Sequence, residues 1–246
     1  MPGERPWGQN VTLSPGWNKV RSAAVAAARD SWVWAPLLGA AGLQVGNWDR
    51  KVSTWARRET PLFGSAEHAA TWSDTLRSTA AVADAVTILF TPDGDDRSQW
   101  AWNKLKGYAI DVAAASAAIG TTRLLKTAVG RTRPSGVDNE SFPSGHVSTA
   151  AAYDRLAARN LDDIDMRPGV RRALDYGLNA VTFGTAWARI EAAAHYPSDT
   201  LFSIALGNFS ANFFKNAFMG SAAGERQSVA VLPTPGGFTL SWQLRW

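Results

Sequence analysis

Val112-Ala-Ala-Ala-Ser-Ala-Ala-Ile-Gly120 is a run of small and aliphatic residues inside a helix predicted from about Gln99 to Val129. Alanine favours helix more than any other residue. Side chains this small let a neighbouring helix approach closely, so the spacing predicts a helix at the centre of a bundle. Asp111 sits at the edge of the run and reads as a paired or face-exposed carboxylate rather than a functional one.

Outward from this run the chain reads as helix on both sides. Toward the N-terminus, Ser14-Pro15-Gly16 opens a helix to about Arg29, with Ser14 as cap and Pro15 at the first position. Helical character continues over Trp32–Val45 and Asp49–Arg58, and Pro61 breaks it. A long helix follows from about Ser65 to Phe90, ended by Thr91-Pro92-Asp93-Gly94-Asp95. Toward the C-terminus, Gly130–Phe142 is a polar loop. Helices are then predicted over Ser144–Arg159, Gly169–Ala188 and Pro197–Phe218, with Leu161–Pro168 as a solvated connection. The end differs: Phe238-Thr-Leu-Ser-Trp-Gln-Leu-Arg-Trp246 alternates apolar and polar residues, a strand pattern with one buried face. The expected fold is all-α, a multi-helix bundle with a short C-terminal β-hairpin. It forms one domain over 1–246, with an extended segment at 1–14, the bundle at 15–219 and the hairpin at 227–246.

Composition limits the function. A 46% hydrophobic chain of 246 residues can bury a core. The net charge of +4 suits an anionic partner. No long Lys/Arg run is present, which disfavours nucleic acid. The absence of cysteine excludes disulfides, thiolate zinc sites and a cysteine nucleophile. No segment reaches the roughly 18 uninterrupted apolar residues of a spanning helix. Trp32–Val45 and Ala80–Phe90 are the best candidates, and both read as core helices. The opening Met1-Pro2-Gly3-Glu4-Arg5-Pro6 holds no apolar signal region.

Three segments concentrate groups suited to phosphate. Lys126-Thr-Ala-Val-Gly-Arg-Thr-Arg133-Pro134 places an ammonium at a helix end and a guanidinium in the following loop. Together these can clamp phosphate oxygens; alone, such a cluster is usually a surface that complements the helix dipole. Ser141-Phe-Pro-Ser144-Gly145-His146 leads into a helix whose free N–H groups form an anion site. Ser144 adds a hydroxyl, Gly145 permits close backbone approach, and His146 projects beside the anion. In Arg189-Ile-Glu-Ala-Ala-Ala-His195-Tyr-Pro-Ser-Asp199, Pro197 marks a first helical position. His195 then precedes the helix, and the spacing lets the Asp199 carboxylate accept from one imidazole nitrogen, leaving the other free as a base. The plainer readings are a cap for Asp199 and a satisfied core histidine for His195. His68 has no such neighbours and reads as structural or exposed.

Lys126 with Arg133-Pro134, Pro143-Ser144-Gly145-His146, and Arg189 with His195 and Asp199 resemble the three-part signature of the phosphatidic acid phosphatase type 2 superfamily. That group includes membrane lipid phosphatases, soluble bacterial acid phosphatases and vanadium haloperoxidases. The motifs span 126–199. One position departs: the third motif usually begins Ser-Arg, and here it is Ala188-Arg189, which removes a hydroxyl donor. Glu191 lies within the motif and is expected to point away from an anion.

The resemblance implies a helical bundle of the acid phosphatase and haloperoxidase type and a phosphatase acting on phosphomonoesters or diphosphates, lipid-linked ones foremost. His195 would be the nucleophile, Asp199 its orienter and His146 the acid. Lys126, Arg133, Ser144, Gly145 and Arg189 would hold the phosphate, with no metal and no cofactor. The competing functions are a vanadate-dependent haloperoxidase and a non-catalytic lipid-phosphate-binding envelope protein. The expected partner is a phosphate-ester substrate, with peripheral membrane contact and no nucleic acid. The expected location is the periplasm, with an export signal or lipid anchor outside this chain.

Overall fold

The computed structural model describes residues 7–92, 97–219, 227–234 and 237–244. Among them are eight α-helices: α1 (Trp17–Arg29), α2 (Ser31–Gln44), α3 (Trp48–Glu59), α4 (Ala66–Phe90), α5 (Trp100–Val129), α6 (Gly145–Asp162), α7 (Pro168–Glu191) and α8 (Pro197–Phe214). The chain is therefore all-α with a C-terminal extra. That extra is the antiparallel pair β1 (Gln227–Thr234) and β2 (Gly237–Leu244), registered from Gln227 opposite Leu244 to Thr234 opposite Gly237. The expected buried face of this hairpin and its closing Trp246 lie outside the described residues.

Local chemistry explains most boundaries. Asp30 caps α2 by accepting from Trp32 N at 2.8 Å, and Ser65 caps α4 by accepting from His68 N at 3.1 Å. Thr60 ends α3 in the left-handed region at φ 38°, just before Pro61. α1 departs from expectation: its cap is Gly16, so Ser14 and Pro15 precede it. α6 runs on to Asp162, which makes Leu161 a buried helical residue instead of part of the solvated link. Residues 7–10 form a turn where extended chain was expected. Trp7 anchors that turn, buried against Ile88 and Ile110, with its amide donating to Pro92 O at 3.0 Å.

The centre of the bundle is α8 with α6. α8 packs on α1, α2, α5, α6 and α7. It comes close to α6 at Gly207, where a Cβ would stand 2.4 Å from Ser148 O. The small-residue run of α5 is not central, contrary to expectation. Ala114, Ala115 and Ala118 face α6 and α8, while Ser116 and Gly120 are exposed. Small side chains marked a contact face without telling how many faces were covered.

A buried polar network joins α4, α5, α6 and the π-helical turn Lys215–Met219 that continues α8. Lys215 Nζ meets Asp111 Oδ1 at 2.9 Å and Asn160 Oδ1 at 2.7 Å, above the Trp7 ring at 4.6 Å. Asn160 Nδ2 donates to Asp84 Oδ1 at 3.0 Å. Burial pushes the Asp84 carboxyl up to about 8, with the neighbouring Asp111 charge adding to the rise. Asp84 Oδ2 has no other hydrogen-bond partner, and a proton on Asp84 supplies the bond between the two carboxyls. Asp111 is thus a paired, fully buried carboxylate, not a face-exposed one.

The two apolar segments read as core helices are corrected by the structure. In α2 only Val33 and Pro36 are buried, and Leu38 is 64% exposed. In the second half of α4, Val82, Val86, Leu89 and Phe90 are all exposed, Phe90 at 69%. No helix among the described residues is long and apolar enough to cross a membrane.

Candidate active site

The three sequence segments meet where α6 and α8 begin and where α5 and α7 end. The 130–142 loop is tied over this region by its backbone. Ser135 N donates to Ala193 O at 3.0 Å, and Ser141 N donates to Arg131 O at 2.8 Å. Ala193, at φ 54°, makes the tight turn that lets α7 hand over to α8 within a few residues. Phe142 packs on Phe202 of α8, with ring centroids 4.6 Å apart, and this seats the loop against the helix.

His195 is buried, with Nδ1 against the carbonyl oxygen of Ser141. A carbonyl only accepts, so the proton is on Nδ1 and the Nε2 lone pair is free. Burial holds the imidazole well below its usual pKa, and the charges of Arg189, Lys126 and Arg133 push the same way. His195 is therefore neutral, and the charges of three cationic side chains act on it.

Asp199 does not bond to His195, which corrects the expected orienter. Its Oδ2 accepts from Ser141 Oγ at 2.6 Å and from Tyr196 N at 2.9 Å, and its Oδ1 accepts from Arg131 at 2.5 Å. The carboxylate caps the first turn of α8 and anchors the residue whose carbonyl holds His195. Arg131 also pairs with Asp49 of α3 at 2.6 Å and lies over the Tyr196 ring at 4.0 Å. Asp49 in turn accepts from Ser198 N at 2.8 Å. Sequence reasoning passed over Asp49, Arg131 and Ser141. Arg131 lies inside the first motif, but nothing in the spacing separates it from Arg133.

His146 is half-buried at the start of α6, and its Nε2 lies 2.8 Å from Asp74 Oδ1 on α4. Burial lowers its pKa, Arg189 lowers it further, and the bond to Asp74 opposes both. Arg189 donates to the buried Ser73 at 3.3 Å, while its Nε has no partner. Burial pushes the guanidinium down to about 10, with Arg133 adding to the fall. Arg189 is thus the shared neighbour whose charge reaches both histidines. Ser73 supplies a hydroxyl beside Arg189, although position 188 carries a buried alanine.

Ser144 occupies the cap position of α6 but makes no cap bond. Its Oγ is buried and unpartnered, while its amide donates to Ser203 Oγ at 2.7 Å. The first amides of α6 precede the helix's own hydrogen bonds. A Cβ at Gly145 would meet only Thr122 Cγ2 at 3.7 Å, so protein packing does not demand glycine there. Lys126 Nζ donates to Glu140 O, and Glu140 Oε2 lies 3.9 Å from Lys126 Nζ and 3.8 Å from Arg133. Arg133 also pairs with Asp138 at 2.7 Å. The loop's own carboxylates therefore stand beside the two cations that the sequence assigned to an anion.

Residues 107–221 match the family described as the PAP2 superfamily. The chain carries a PAP2 superfamily domain. The match supports a phosphatase of that superfamily. A crystal structure described as the first transmembrane PAP2 type phosphatidylglycerolphosphate phosphatase from Bacillus subtilis has the same fold. It aligns with a TM-score of 0.50 at 19% identity, covering 75% of this chain and 92% of that one. No curated protein matches the chain.

Two further sequence expectations have an answer in the structure. Glu191 is fully buried and turned to the α3–α4 connection, where it accepts from Leu62 N and Phe63 N at 3.0 Å each and from Trp187 Nε1. It braces α7 instead of facing an anion. His68 is exposed, with no part in the site. A separate cavity of about 580 Å³ lies between α1, the start of α2, α6, α7 and α8, and none of the motif residues line it.

Proposed function

We propose that this PAP2 domain hydrolyses phosphomonoesters or diphosphates, lipid-linked ones foremost, through a phosphohistidine at His195. The observation that carries the reading is the buried His195 ring, fixed by a carbonyl at Nδ1 and acted on by the charges of Arg189, Lys126 and Arg133. Nε2 attacks phosphorus, the bond to the leaving oxygen breaks, and His146 gives that oxygen its proton. Water then attacks the phosphorus of the phosphohistidine, His146 takes the water's proton, and the P–N bond breaks to release phosphate. Arg189 Nε and Ser144 Oγ are donors without protein partners, and with the Gly145 amide in the first turn of α6 they serve the equatorial oxygens. Lys126 and Arg133 join them when the loop carboxylates give way. Cationic side chains take the role a metal plays elsewhere.

Exposed apolar side chains support action at a membrane surface. Trp72 directly precedes Ser73 and Asp74 and packs beside Phe63, with ring centroids 6.2 Å apart. Trp55, Leu62 and Trp72 are all exposed. Amphipathic aromatic rings suit the membrane–water boundary. The placement we propose is periplasmic, at the outer surface of the cytoplasmic membrane.

The test is single-turnover labelling with a ³²P-phosphate ester. An acid-labile, alkali-stable phosphoprotein that vanishes in His195→Ala is expected, with vanadate blocking it and a chelator leaving it unchanged. Turnover without a labelled protein, or activity lost to the chelator and restored by a divalent ion, overturns the mechanism. Halide oxidation under vanadate and peroxide, with no ester hydrolysis, would make the chain a haloperoxidase.

A further inference from the structure

We infer that Asp74 is the positioning residue of the acid His146, holding its Nε2 so that Nδ1 faces the leaving oxygen. The inference rests on the phosphatase reading above and goes beyond the three motifs, since Asp74 lies on α4, 72 residues before its partner.

Geometry carries it. Asp74 Oδ1 is 2.8 Å from His146 Nε2, and Arg77, one turn further along α4, holds the same oxygen at 3.3 Å. A carboxylate accepts only, so Nε2 carries a proton toward Asp74. The proton available for transfer must then leave from Nδ1, as the imidazolium form becomes neutral. The neighbouring Ser73 takes the Arg189 guanidinium at 3.3 Å. Two successive residues of α4 thus hold two different members of the site. α4 packs against both α6 and α7, which fixes this pairing from outside the motif region.

Charge gives Asp74 a second effect. The groups facing His146 are Asp74 and Arg77 from α4 and Arg189 from α7. Burial and the two arginines favour the neutral ring, and Asp74 alone among these favours the charged one. Without Asp74 the acid would lose its proton at lower pH.

The experiment compares Asp74→Asn with wild type on two esters of unequal leaving group, 4-nitrophenyl phosphate and an alkyl phosphate, across pH. Three results are expected. kcat falls roughly 10- to 100-fold for the alkyl ester and less for the nitrophenyl ester, because general acid help matters most for poor leaving groups. The basic limb of kcat/KM moves to lower pH. In a His146→Ala background, Asp74→Asn adds no further loss, as expected for residues that act through one another. Equal losses on both esters, an unmoved basic limb, or additive losses in the double variant overturn the inference. Phosphoenzyme formation in wild type separates the outcomes: a labelled wild type with an indifferent Asp74→Asn sinks this inference alone, whereas an unlabelled wild type sinks the phosphatase mechanism itself.

Discussion

Ser141 stands between His195 and Asp199. Its carbonyl oxygen takes His195 Nδ1, and its hydroxyl donates to Asp199 Oδ2 at 2.6 Å. The Asp199 carboxylate therefore acts on the His195 ring through a loop residue and not by contact. His195→Ala should abolish turnover. Asp199→Asn keeps an acceptor for Ser141 and Tyr196 N but loses the charge that pairs with Arg131, so the carbonyl shifts without vanishing. A loss of about 10²-fold in kcat is expected, the scale of a small misplacement of a reacting group. Steady-state kinetics decides it: a loss as deep as that of His195→Ala would make Asp199 a direct partner.

The two histidines set the pH profile. His195 must be neutral to attack, and its pKa lies well below the ordinary 6.5, so its requirement is met over most of the accessible range. His146 must be protonated, and burial, helped by Arg189, holds its pKa below 6.5 as well. Its proton is lost as pH rises through that lowered value. kcat/KM should thus fall on the basic side before pH reaches about 6.5, giving an acidic optimum. A flat profile through neutral pH would remove His146 as the acid in the free enzyme.

Glu140 predicts a change in affinity. Its carboxylate stands between Lys126 and Arg133 at just under 4 Å from each, where an anionic substrate would compete with it. Glu140→Gln removes that competitor and leaves the backbone carbonyl that Lys126 also uses. KM for a phosphate ester and Ki for inorganic phosphate should fall by roughly 2- to 5-fold, the worth of an exposed ion pair, with kcat unchanged. An unchanged or raised KM would mean that Lys126 and Arg133 are held in place by Glu140 and not masked by it.

The helices were legible because their signals are local: caps, a breaking proline and alanine-rich runs. A candidate site could be proposed from sequence because its members lie in three short segments. What was missed depends on contacts across the fold. Asp74 and Ser73 sit in an unremarkable helical stretch, and only the packing of α4 on α6 and α7 brings them to the site. The pairing of His195 with Asp199 was a sound spacing argument, but it could not foresee that the 130–142 loop inserts Ser141 between them. The exposed apolar faces of α2 and α4 were read as core because apolar composition does not say which side is covered.

Asp84 offers a test of the buried network that is independent of catalysis. Its carboxyl ordinarily loses its proton near 3.8, and burial beside Asp111 raises it to about 8 in the folded chain. Between those values the folded state binds the extra proton and the unfolded state does not. The contribution of Asp84 is thus fully favourable below pH 3.8 and is lost as pH rises through about 8. Asp84→Asn keeps an acceptor for Asn160 Nδ2 and a donor toward Asp111, but it cannot ionise. Wild type should lose stability relative to this variant as pH rises from 5 to 8, by an amount on the order of a few kcal/mol. Lys215→Met should destabilise most toward pH 8, by about 3 to 5 kcal/mol, because it leaves the Asp111 charge buried and unpaired. Thermal unfolding of the three proteins across that range measures both. Parallel curves for wild type and Asp84→Asn would show that Asp84 is ionised in the folded chain and that the proton assigned between the two carboxyls is absent.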